Sequence, residues 1–271
     1  MGLRVNTNLF SLNSQRNLSN VSSRLAGNFS RLSSGLRIAN ASDDAAGLGI
    51  SERMRAQIRS LQQAGRNAND GISLAQTAEG ALGEVNSNLV RMRELAVQAA
   101  NGTLNTGDRL VLDGEFQALV EEIDRVAEQT TFNGVNLLDG STTSLSIQVG
   151  SESGQTIDMA FEDMTSATLG VGTDITDVTN ASAALDLIDT AIDSVTSLRG
   201  GLGASQNRVQ STVRSIANVA ENLSAAESRI RDVDVAAETA DLTKNSILQQ
   251  AALSVLAQAN VQPQLALSLL G

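Results

Sequence analysis

The sequence predicts a mainly α-helical protein, a long antiparallel helical bundle or coiled-coil rod with a small β-hairpin region at mid-chain and paired N- and C-termini. Three observations support this prediction. Apolar residues recur at steps of three and four in both halves of the 271-residue chain, which is the spacing of one helix face. The chain contains a single Pro, so long helices meet few breaks. Between the halves, residues 130–179 lose the helical period.

The N-terminal half predicts three helices. The first ends at Ser33-Ser34-Gly35, and its apolar positions are Val5, Leu9, Leu12, Leu18, Val21, Leu25, Phe29, Leu32 and Leu36. Residues with capping side chains at 40–44 then precede a second helix over about residues 45–100. At about 1.5 Å per residue this helix is about 80 Å long, which suits a rod. A turn over 101–107 leads to a third helix, where the charge of Asp108 favours the positive helix start.

The middle of the chain predicts a β-hairpin. Apolar and polar residues alternate strictly in two short runs, Leu145, Ile147, Val149 and Ile157, Met159, Phe161. A turn-forming segment, residues 151–154, separates the two runs.

The C-terminal half predicts helix from Ala183 to about Ala240 with little interruption, and then a final helix up to Pro263. The apolar spacing holds over many heptads, which is typical of a coiled coil. The cluster Gly200-Gly201-Leu202-Gly203 predicts one loosened turn. An apolar tail follows, Leu265-Ala266-Leu267-Ser268-Leu269-Leu270.

Each helical half is too thin to bury its own apolar face, so we expect the two halves to pair. This predicts a terminal helical core domain from residues 1–44 and 230–271. It also predicts a helical rod domain over 45–229 that contains the β-hairpin region at about 131–180.

Composition excludes several classes of function. The chain contains no His and no Cys, which rules out His-dependent triads, Cys nucleophiles and Cys/His zinc sites. We therefore expect no enzyme and no cofactor. The net charge of -11 argues against nucleic acid as a partner. This charge is uneven, because residues 67–198 carry four Arg against 21 acids whereas residues 1–66 carry nine Arg against three. No membrane span and no ordinary secretory signal are expected.

Three kinds of short motif resemble binding or catalytic sites, but none of them has the complete residue pattern that such a site needs. Gly47-Leu48-Gly49 does not complete a nucleotide-binding loop. The acids from Asp232 to Glu238 place Ala237 where a calcium loop needs Gly. The adjacent pairs Glu121-Glu122 and Glu162-Asp163 have side chains that point apart, so they are interpreted as surface charge.

The terminal apolar positions favour an interaction role, because the terminal helices have little but each other to cover them. In a monomer Phe10, Leu265 and Leu269-Leu270 would stay exposed, and exposed apolar surface marks a partner site. The residues expected to carry self-assembly are Leu9, Leu18, Val21, Leu25, Leu32, Leu36, Ile247, Ala251, Val255 and Leu269.

Several segments resemble bacterial flagellin, the subunit of the flagellar filament. In the N-terminal half they are residues 3–8 (LRVNTN), 31–38 (RLSSGLRI), 41–48 (ASDDAAGL), 66–73 (RNANDGIS) and 79–82 (EGAL). In the C-terminal half they are residues 228–230 (SRI), 247–251 (ILQQA) and 257–260 (AQAN). The resemblance covers about residues 1–140 and 183–271, and the large variable outer domains of longer flagellins are missing.

The resemblance implies a homopolymer, an extracellular helical filament that serves swimming motility, with the paired termini at its core. It implies export through the flagellar type III apparatus with a chaperone at the C-terminal helix, and contacts with filament cap and hook-junction proteins. It further implies recognition by the vertebrate Toll-like flagellin receptor through Arg91, Leu95 and Glu115.

Three alternatives remain open at this point. The first is the hook–filament junction protein, which shares the terminal domains, although residues 66–72 favour flagellin. The second is a cytoplasmic coiled-coil adaptor, which predicts a small closed oligomer. The third is a carboxylate hydrolase, which requires a concave pocket.

Overall fold

The computed structural model describes residues 7–268, with side chains up to residue 261. Within that range the chain forms six helices and two two-stranded antiparallel sheets. The helices are α1 (Leu9–Ser34), α2 (Ala45–Ala99), α3 (Thr106–Gln129), α4 (Ser166–Leu169), α5 (Val178–Arg231) and α6 (Val235–Ser268). The strands are β1 (Thr131–Phe132), β2 (Val135–Asn136), β3 (Ser144–Gln148) and β4 (Thr156–Ala160). The predicted mainly helical fold with a small β region and paired terminal helices is confirmed.

Capping residues set the end of α1 and the start of α3. α1 ends at Ser34 and is capped by Gly35, whose φ of 73° is a left-handed conformation that suits glycine and whose N–H donates to the carbonyl of Arg31. α3 begins with a capping box, in which Asn105 and Asp108 each accept a hydrogen bond from the backbone N–H of the other. Asp108 was predicted to favour the helix start through its charge. It also accepts a hydrogen bond from the N–H of Asn105, which lies just outside the helix.

The glycine cluster at 200–203 does not loosen α5, and that prediction is wrong. The helix is continuous from Val178 to Arg231. Leu198 and Leu202 on its inner face are buried at 6% and 1% exposure. Tertiary packing of this kind outweighs the weak helix propensity of Gly.

The helix predicted to run to about Ala240 is interrupted at residues 232–234, which is a second correction. α5 ends at Arg231 and α6 begins at Val235. Asp234 causes the new start, because its Oδ1 accepts hydrogen bonds from the N–H groups of Ala236 at 2.9 Å and Ala237 at 3.2 Å. A short acidic side chain at this position caps a helix better than it continues one.

The β region contains more structure than the alternation predicted. The hairpin β3–β4 is confirmed, with Leu145 paired to Met159 and Ile147 to Ile157. A smaller hairpin, β1–β2, precedes it and turns at Asn133 and Gly134, which both have positive φ values of 50° and 78°. Asn-Gly is the pair that such tight turns favour. The four-residue helix α4 follows the second hairpin.

The chain separates into two compact units, which are described individually. Unit 1 comprises residues 1–56 and 222–271, and unit 2 comprises residues 57–221. Unit 2 holds a continuous hydrophobic core to which α2, α3, the β region and α5 all contribute. Its largest fully buried side chains include Phe116, Leu82, Leu89, Met92 and Ile188. The predicted domain boundaries at 44/45 and 229/230 stay a prediction.

Candidate assembly surface

In unit 1, α1 and α6 pack against each other in antiparallel orientation. Hydrogen bonds join Asn8 to Ala259 near one end and Arg31 to Glu238 near the other, so the residue numbers of the two helices run in opposite directions. Each helix turns residues at alternating steps of three and four toward its partner, as in a coiled coil. These buried or half-buried positions, which we call the seam, are Ser11, Ser14, Leu18, Val21, Leu25, Asn28 and Leu32 in α1, and Glu238, Leu242, Asn245, Gln249, Ala252, Leu256 and Ala259 in α6.

A buried group of polar side chains lies within the seam. Asn28 Nδ2 donates to Glu238 Oε1 at 2.6 Å, and Asn28 Oδ1 accepts from Asn245 Nδ2 at 2.9 Å. All three residues are at most 8% exposed. Arg31 adds an ion pair, with Nη1 at 3.4 Å from Glu238 Oε1. We call Asn28, Glu238 and Asn245 the polar cluster. Its members satisfy each other, as buried polar groups must.

The opposite end of the helix pair is also joined by polar contacts. Asn8 caps α1 through its Oδ1, which accepts from Ser11 N, and its Nδ2 donates to the carbonyl of Ala259 at 2.7 Å. Ser11 Oγ donates to Asn260 Oδ1 at 2.8 Å. The cap of α1 therefore also attaches it to α6.

The segments that enter and leave the pair are joined through their backbones. Arg37 N donates to the carbonyl of Arg231 at 2.7 Å, and Val233 N donates to the carbonyl of Gly35 at 3.0 Å. Arg231 also donates from Nη1 to Glu52 Oε1 at 2.7 Å. This hydrogen bond lowers the pKa of the Glu52 carboxyl. Together these contacts fix where α6 begins relative to the end of α1.

Large apolar side chains are exposed on both helices. In α1 they are Leu9, Phe10, Leu12 and Phe29, and over residues 245–261 of α6 they are Ile247, Leu248, Leu253, Val255 and Val261. Phe10 is 60% exposed and Ile247 is 61% exposed. Residues 245–271 contain no charged side chain, whereas a surface helix normally carries charges on its solvent face. We call these five exposed apolar residues of α6 the outer face.

The predicted assembly residues fall into two groups. Those in α1 from Leu18 onward, together with Leu36, are half-buried: Leu18, Val21, Leu25, Leu32 and Leu36. Leu9, Ile247, Ala251 and Val255 are exposed. Leu269 lies outside the described residues, as do the side chains of Leu265 and Leu270. The apolar repeat alone does not indicate the polar cluster, although Asn28 and Asn245 also fit the heptad spacing.

The residues predicted for receptor recognition lie in unit 2 and differ in exposure. Arg91 of α2 donates to Glu115 Oε1 of α3 from Nε at 2.9 Å and from Nη2 at 2.7 Å. Glu115, and then Glu94, raise the pKa of the Arg91 guanidinium through these hydrogen bonds. Both Arg91 and Glu115 are exposed, whereas Leu95 is 1% exposed. Leu95 therefore packs inside the hydrophobic core of unit 2.

The carboxylates near the start of α2 accept hydrogen bonds from nearby backbone N–H groups. An open depression of about 310 Å³ is lined by Arg31, Arg37, Ile38, Asp43 and Asp44. Backbone N–H groups of Asn40 and Ala39 lower the pKa of Asp43, and Asp44 accepts from the N–H of Gly47. These backbone hydrogen bonds stabilise the turn that leads into α2.

Neither a metal-binding group nor a membrane-spanning helix is found in the part of the chain that the structure describes. Among those residues no group of three or more metal-ligating side chains is found. None of the described helices is both long enough and apolar enough to cross a membrane.

Comparison with known proteins gives consistent matches over most of the chain. A family model for the bacterial flagellin N-terminal helical region matches residues 5–143, and one for the C-terminal helical region matches residues 185–270. The chain is 51% identical over 272 residues to a flagellin of Halalkalibacterium halodurans, an alignment that covers 98% of this chain and 99% of that protein. It is 45% identical over 303 residues to a flagellin of Bacillus subtilis, covering 99% and 100%.

Two further relatives extend the comparison. The "Flagellar filament 33 kDa core protein" of Treponema phagedenis is 44% identical over 283 residues, covering 98% of this chain and 99% of the relative. The crystal structure of Bacillus cereus flagellin aligns with a TM-score of 0.52 at 36% identity, and it covers 60% of this chain and 94% of that one. On this evidence the chain belongs to the bacterial flagellin family.

Proposed function

We propose that this protein polymerises with copies of itself into the core of a flagellar filament, through the paired terminal helices. Membership of the flagellin family confirms the predicted class, a structural protein of the extracellular flagellar filament. One observation carries the finer proposal. The helix pair presents apolar side chains such as Phe10, Ile247 and Val255 to solvent at more than half of their full exposure.

The chemistry of that surface favours a second copy of the chain as its partner. The outer face lies in a segment without charged side chains, so burying it desolvates no ion. Phe10 and Phe29 of α1 are the only aromatic residues of unit 1, and both are exposed. Aromatic residues at the centre of an interface contribute strongly to binding. Contacts between unlike surfaces of identical subunits generate open helical filaments.

The test is seeded polymerisation of purified protein, followed by light scattering and electron microscopy. Val255→Asp places a charge on the outer face, and its matched control is Val178→Asp, which alters an exposed Val at the first residue of α5. We expect Val255→Asp to abolish filament growth and Val178→Asp to retain it. Normal growth of the Val255→Asp protein would contradict the proposal.

The same assay separates the remaining alternatives. A filament subunit continues to add to its own seeds, whereas a hook–filament junction protein adds a limited number of copies to a hook end. A coiled-coil adaptor gives a discrete oligomer whose size is independent of seeds. Sedimentation of the wild-type protein with and without seeds distinguishes the three.

The further partners implied by the family belong to the same proposal. We infer export through the flagellar type III apparatus with a chaperone on α6, because the outer face needs cover before assembly. Filament cap and hook-junction proteins are expected to contact the same helix pair. Capture of a purified flagellar chaperone by the wild-type chain, and its loss in a chain truncated after residue 234, would support the chaperone assignment.

Recognition by the vertebrate Toll-like flagellin receptor is proposed for the exposed pair Arg91 and Glu115. Their ion pair crosses from α2 to α3 at 2.7 Å and holds both side chains at the surface of unit 2. Leu95 is assigned a supporting role, because it is buried. A receptor-reporter assay with soluble Arg91→Ala protein should show a reduced response, while Arg125→Ala, which removes an exposed ion pair elsewhere on α3, should not.

A further inference from the structure

The dipeptide Asn-Gly occurs twice in the chain, at Asn101-Gly102 and at Asn133-Gly134. Asn is a thermolabile residue, because its side-chain amide can react with the next backbone nitrogen, and Gly has no Cβ to shield that nitrogen. All four residues are exposed, so water reaches both dipeptides. The two sites differ in how the fold holds the Asn side chain relative to the following peptide.

The hairpin β1–β2 keeps the side chain of Asn133 away from the nitrogen of Gly134. Asn133 has a φ of 50°, in the left-handed region, where ψ is typically about +47°. At such a ψ the Cβ atom and the next backbone nitrogen lie on opposite sides of the Cα–C bond. Phe132 and Val135 pair across the turn, so the hairpin must open before the two groups of this dipeptide meet.

The turn between α2 and α3 holds Asn101 in the contrary way. Its Oδ1 accepts a hydrogen bond from the N–H of Thr103 at 3.1 Å, which is the arrangement of an Asx turn. The ring that this hydrogen bond closes contains both the Cγ atom of Asn101 and the backbone nitrogen of Gly102. The side chain is therefore folded back over the peptide with which it can form a cyclic imide.

Two hydrogen bonds polarise the groups that would react. Arg109 Nη2 donates to the main-chain carbonyl of Asn101 at 2.9 Å, and that carbonyl belongs to the same peptide as the Gly102 nitrogen. When this nitrogen loses its proton, the negative charge spreads onto the carbonyl oxygen, where the guanidinium stabilises it. The N–H of Thr103 stabilises the charge that develops on Oδ1 when Cγ is attacked, as in an oxyanion hole.

The position of Arg109 strengthens its effect on this peptide. Arg109 is 8% exposed, so solvent ions screen its charge less than that of a surface arginine. Its Nε donates to the carbonyl of Ala99, the last residue of α2, at 2.8 Å. The negative end of the α2 dipole opposes an anion nearby, and the guanidinium offsets this opposition. The cation is thus buried while Asn101 and Gly102 stay open to water.

We propose that Asn101 is a site of spontaneous deamidation, and that the folded turn accelerates the reaction relative to the unfolded chain. Hydroxide removes the proton of the Gly102 nitrogen, which then bonds to Cγ of Asn101. The Cγ–Nδ2 bond breaks, and the side-chain nitrogen takes a proton from water and leaves as ammonia. Water then opens the imide: attack at Cγ gives aspartate at position 101, and attack at the main-chain carbonyl carbon gives isoaspartate.

The isoaspartate product changes the turn itself. Its main chain runs through the former side chain and is longer by one methylene. The carbonyl that Arg109 Nη2 binds is thereby displaced from the end of α2. The reaction therefore weakens the same contact that promotes it.

The test compares deamidation at Asn101 and Asn133 within the same full-length protein. Unassembled chain is kept at mildly alkaline pH, either folded or in guanidinium chloride, and the peptides that contain each Asn are quantified by mass spectrometry. Fragmentation distinguishes isoaspartate from aspartate. In the unfolded chain both dipeptides should react at similar rates, because Gly follows both.

The folded protein should separate the two sites. Asn101 should react several-fold faster than in the unfolded chain and should give isoaspartate as well as aspartate. Asn133 should react at least about tenfold more slowly than in the unfolded chain, because the hairpin must open first. A folded-state rate at Asn101 that is equal to or below its unfolded rate would overturn the proposal, and so would equal folded-state rates at the two sites.

Gly102→Ala tests the route through the imide. Gly102 is not among the glycines with positive φ, and a Cβ there would meet no atom within 4 Å, so the turn accepts Ala. The added methyl group shields the attacking nitrogen, and deamidation at Asn101 should fall at least about tenfold. Gly114→Ala in α3, where a Cβ also meets no atom, is the matched control and should leave the rate unchanged. An unchanged rate in Gly102→Ala would overturn the proposal.

Arg109→Met tests the activation, because its two possible roles predict opposite signs. If Arg109 only held the turn in place, its removal would loosen the turn and leave the rate at Asn101 unchanged or raised. If it activates the Gly102 nitrogen, the rate falls to the unfolded-chain value or below it. This holds whether the variant stays folded or not, as circular dichroism and the rate at Asn133 report. A rate at or above that of the wild type would overturn the proposal.

Discussion

Arg109 of α3 donates from Nε to the carbonyl of Ala99, the last residue of α2, at 2.8 Å. Its Nη2 donates to the carbonyl of Asn101 at 2.9 Å. Arg109 is 8% exposed, so a buried guanidinium caps the carboxyl end of a 55-residue helix. The negative end of a helix dipole favours such a charge. The turn between α2 and α3 is therefore held by a side chain from the following helix.

Replacing Arg109 with Met should destabilise unit 2 by roughly 2–4 kcal/mol, because two charge-assisted hydrogen bonds are lost and their carbonyls stay partly buried. Arg125→Met is the control, since it removes the exposed ion pair with Glu122 and should have a much smaller effect. Urea unfolding followed by circular dichroism measures both. Equal midpoints for the two variants would mean that the cap is not a determinant of stability.

Two glycines of α2, Gly71 and Gly80, should respond differently to replacement by Ala. A Cβ at Gly71 would overlap the Cδ1 atom of Ile147 on β3, whereas a Cβ at Gly80 would meet no atom within 4 Å. Gly80→Ala should stabilise the protein by about 0.5–1 kcal/mol through helix propensity. Gly71→Ala should lose that gain, because Ile147 must move. Thermal unfolding of both variants tests this, and equal stabilisation would show that Ile147 adjusts freely.

Most of the helical fold could be predicted because long apolar repeats and scarce Pro act over many residues. The missed features depend on single side chains. Asp234 caps the start of α6, although the apolar period continues through it. Asn133-Gly134 forms a hairpin with strands of two residues, too short to show alternation. Local hydrogen bonding determines both the start of α6 and the short hairpin, and such bonding leaves no periodic pattern in the sequence.

The candidate site was predictable in its location but not in its orientation. The apolar residues of α6 lie on more than one side of the helix, so the sequence pattern does not indicate which side meets α1. The folded structure shows that this side carries Glu238 and Asn245, which bond to Asn28 although they are 210 and 217 residues away in sequence. A pairing at that separation follows from the folded geometry and not from local spacing.

Asp124 of α3 positions the helix α4 through a paired contact. Its Oδ1 accepts from the N–H of Ser166 and its Oδ2 accepts from the hydroxyl of Ser166, both at 2.7 Å. Asp124→Ala should destabilise unit 2 by about 1–2 kcal/mol, which is typical of a lost helix cap. Asp124→Asn should recover part of the loss, because an amide oxygen still accepts from the N–H. Hydrogen exchange at residues 166–169 provides the local measurement, and unchanged protection in the Ala variant would contradict the assignment.

The pH response of the protein follows from its basic side chains, among which Lys244 is the single lysine. The chain also contains no His, Cys or Tyr, so few groups titrate between the carboxyls and the guanidiniums. Hydrogen bonds from Arg231 and Arg93 lower the pKa of the Glu52 and Asp189 carboxyls respectively. The bond to Asp189 in turn raises the pKa of the Arg93 guanidinium. The Arg93–Asp189 ion pair is thus charged over a wide pH range.

Thermal stability should therefore stay level from about pH 6 to about pH 11. The lowered carboxyl pKa values give stability that is present above the unfolded-state pKa, near 4, and is lost as the pH falls through the folded-state value. The raised Arg93 pKa gives stability that is lost only above the unfolded arginine pKa, beyond about 12. Arg93→Lys is the matched variant, and its pairing with Asp189 should weaken near pH 10–11 while the wild type stays unchanged. A wild-type unfolding temperature that declines steadily between pH 6 and pH 10 would contradict the prediction, because the pKa values of the Glu52 and Asp189 carboxyls are lowered and that of the Arg93 guanidinium is raised.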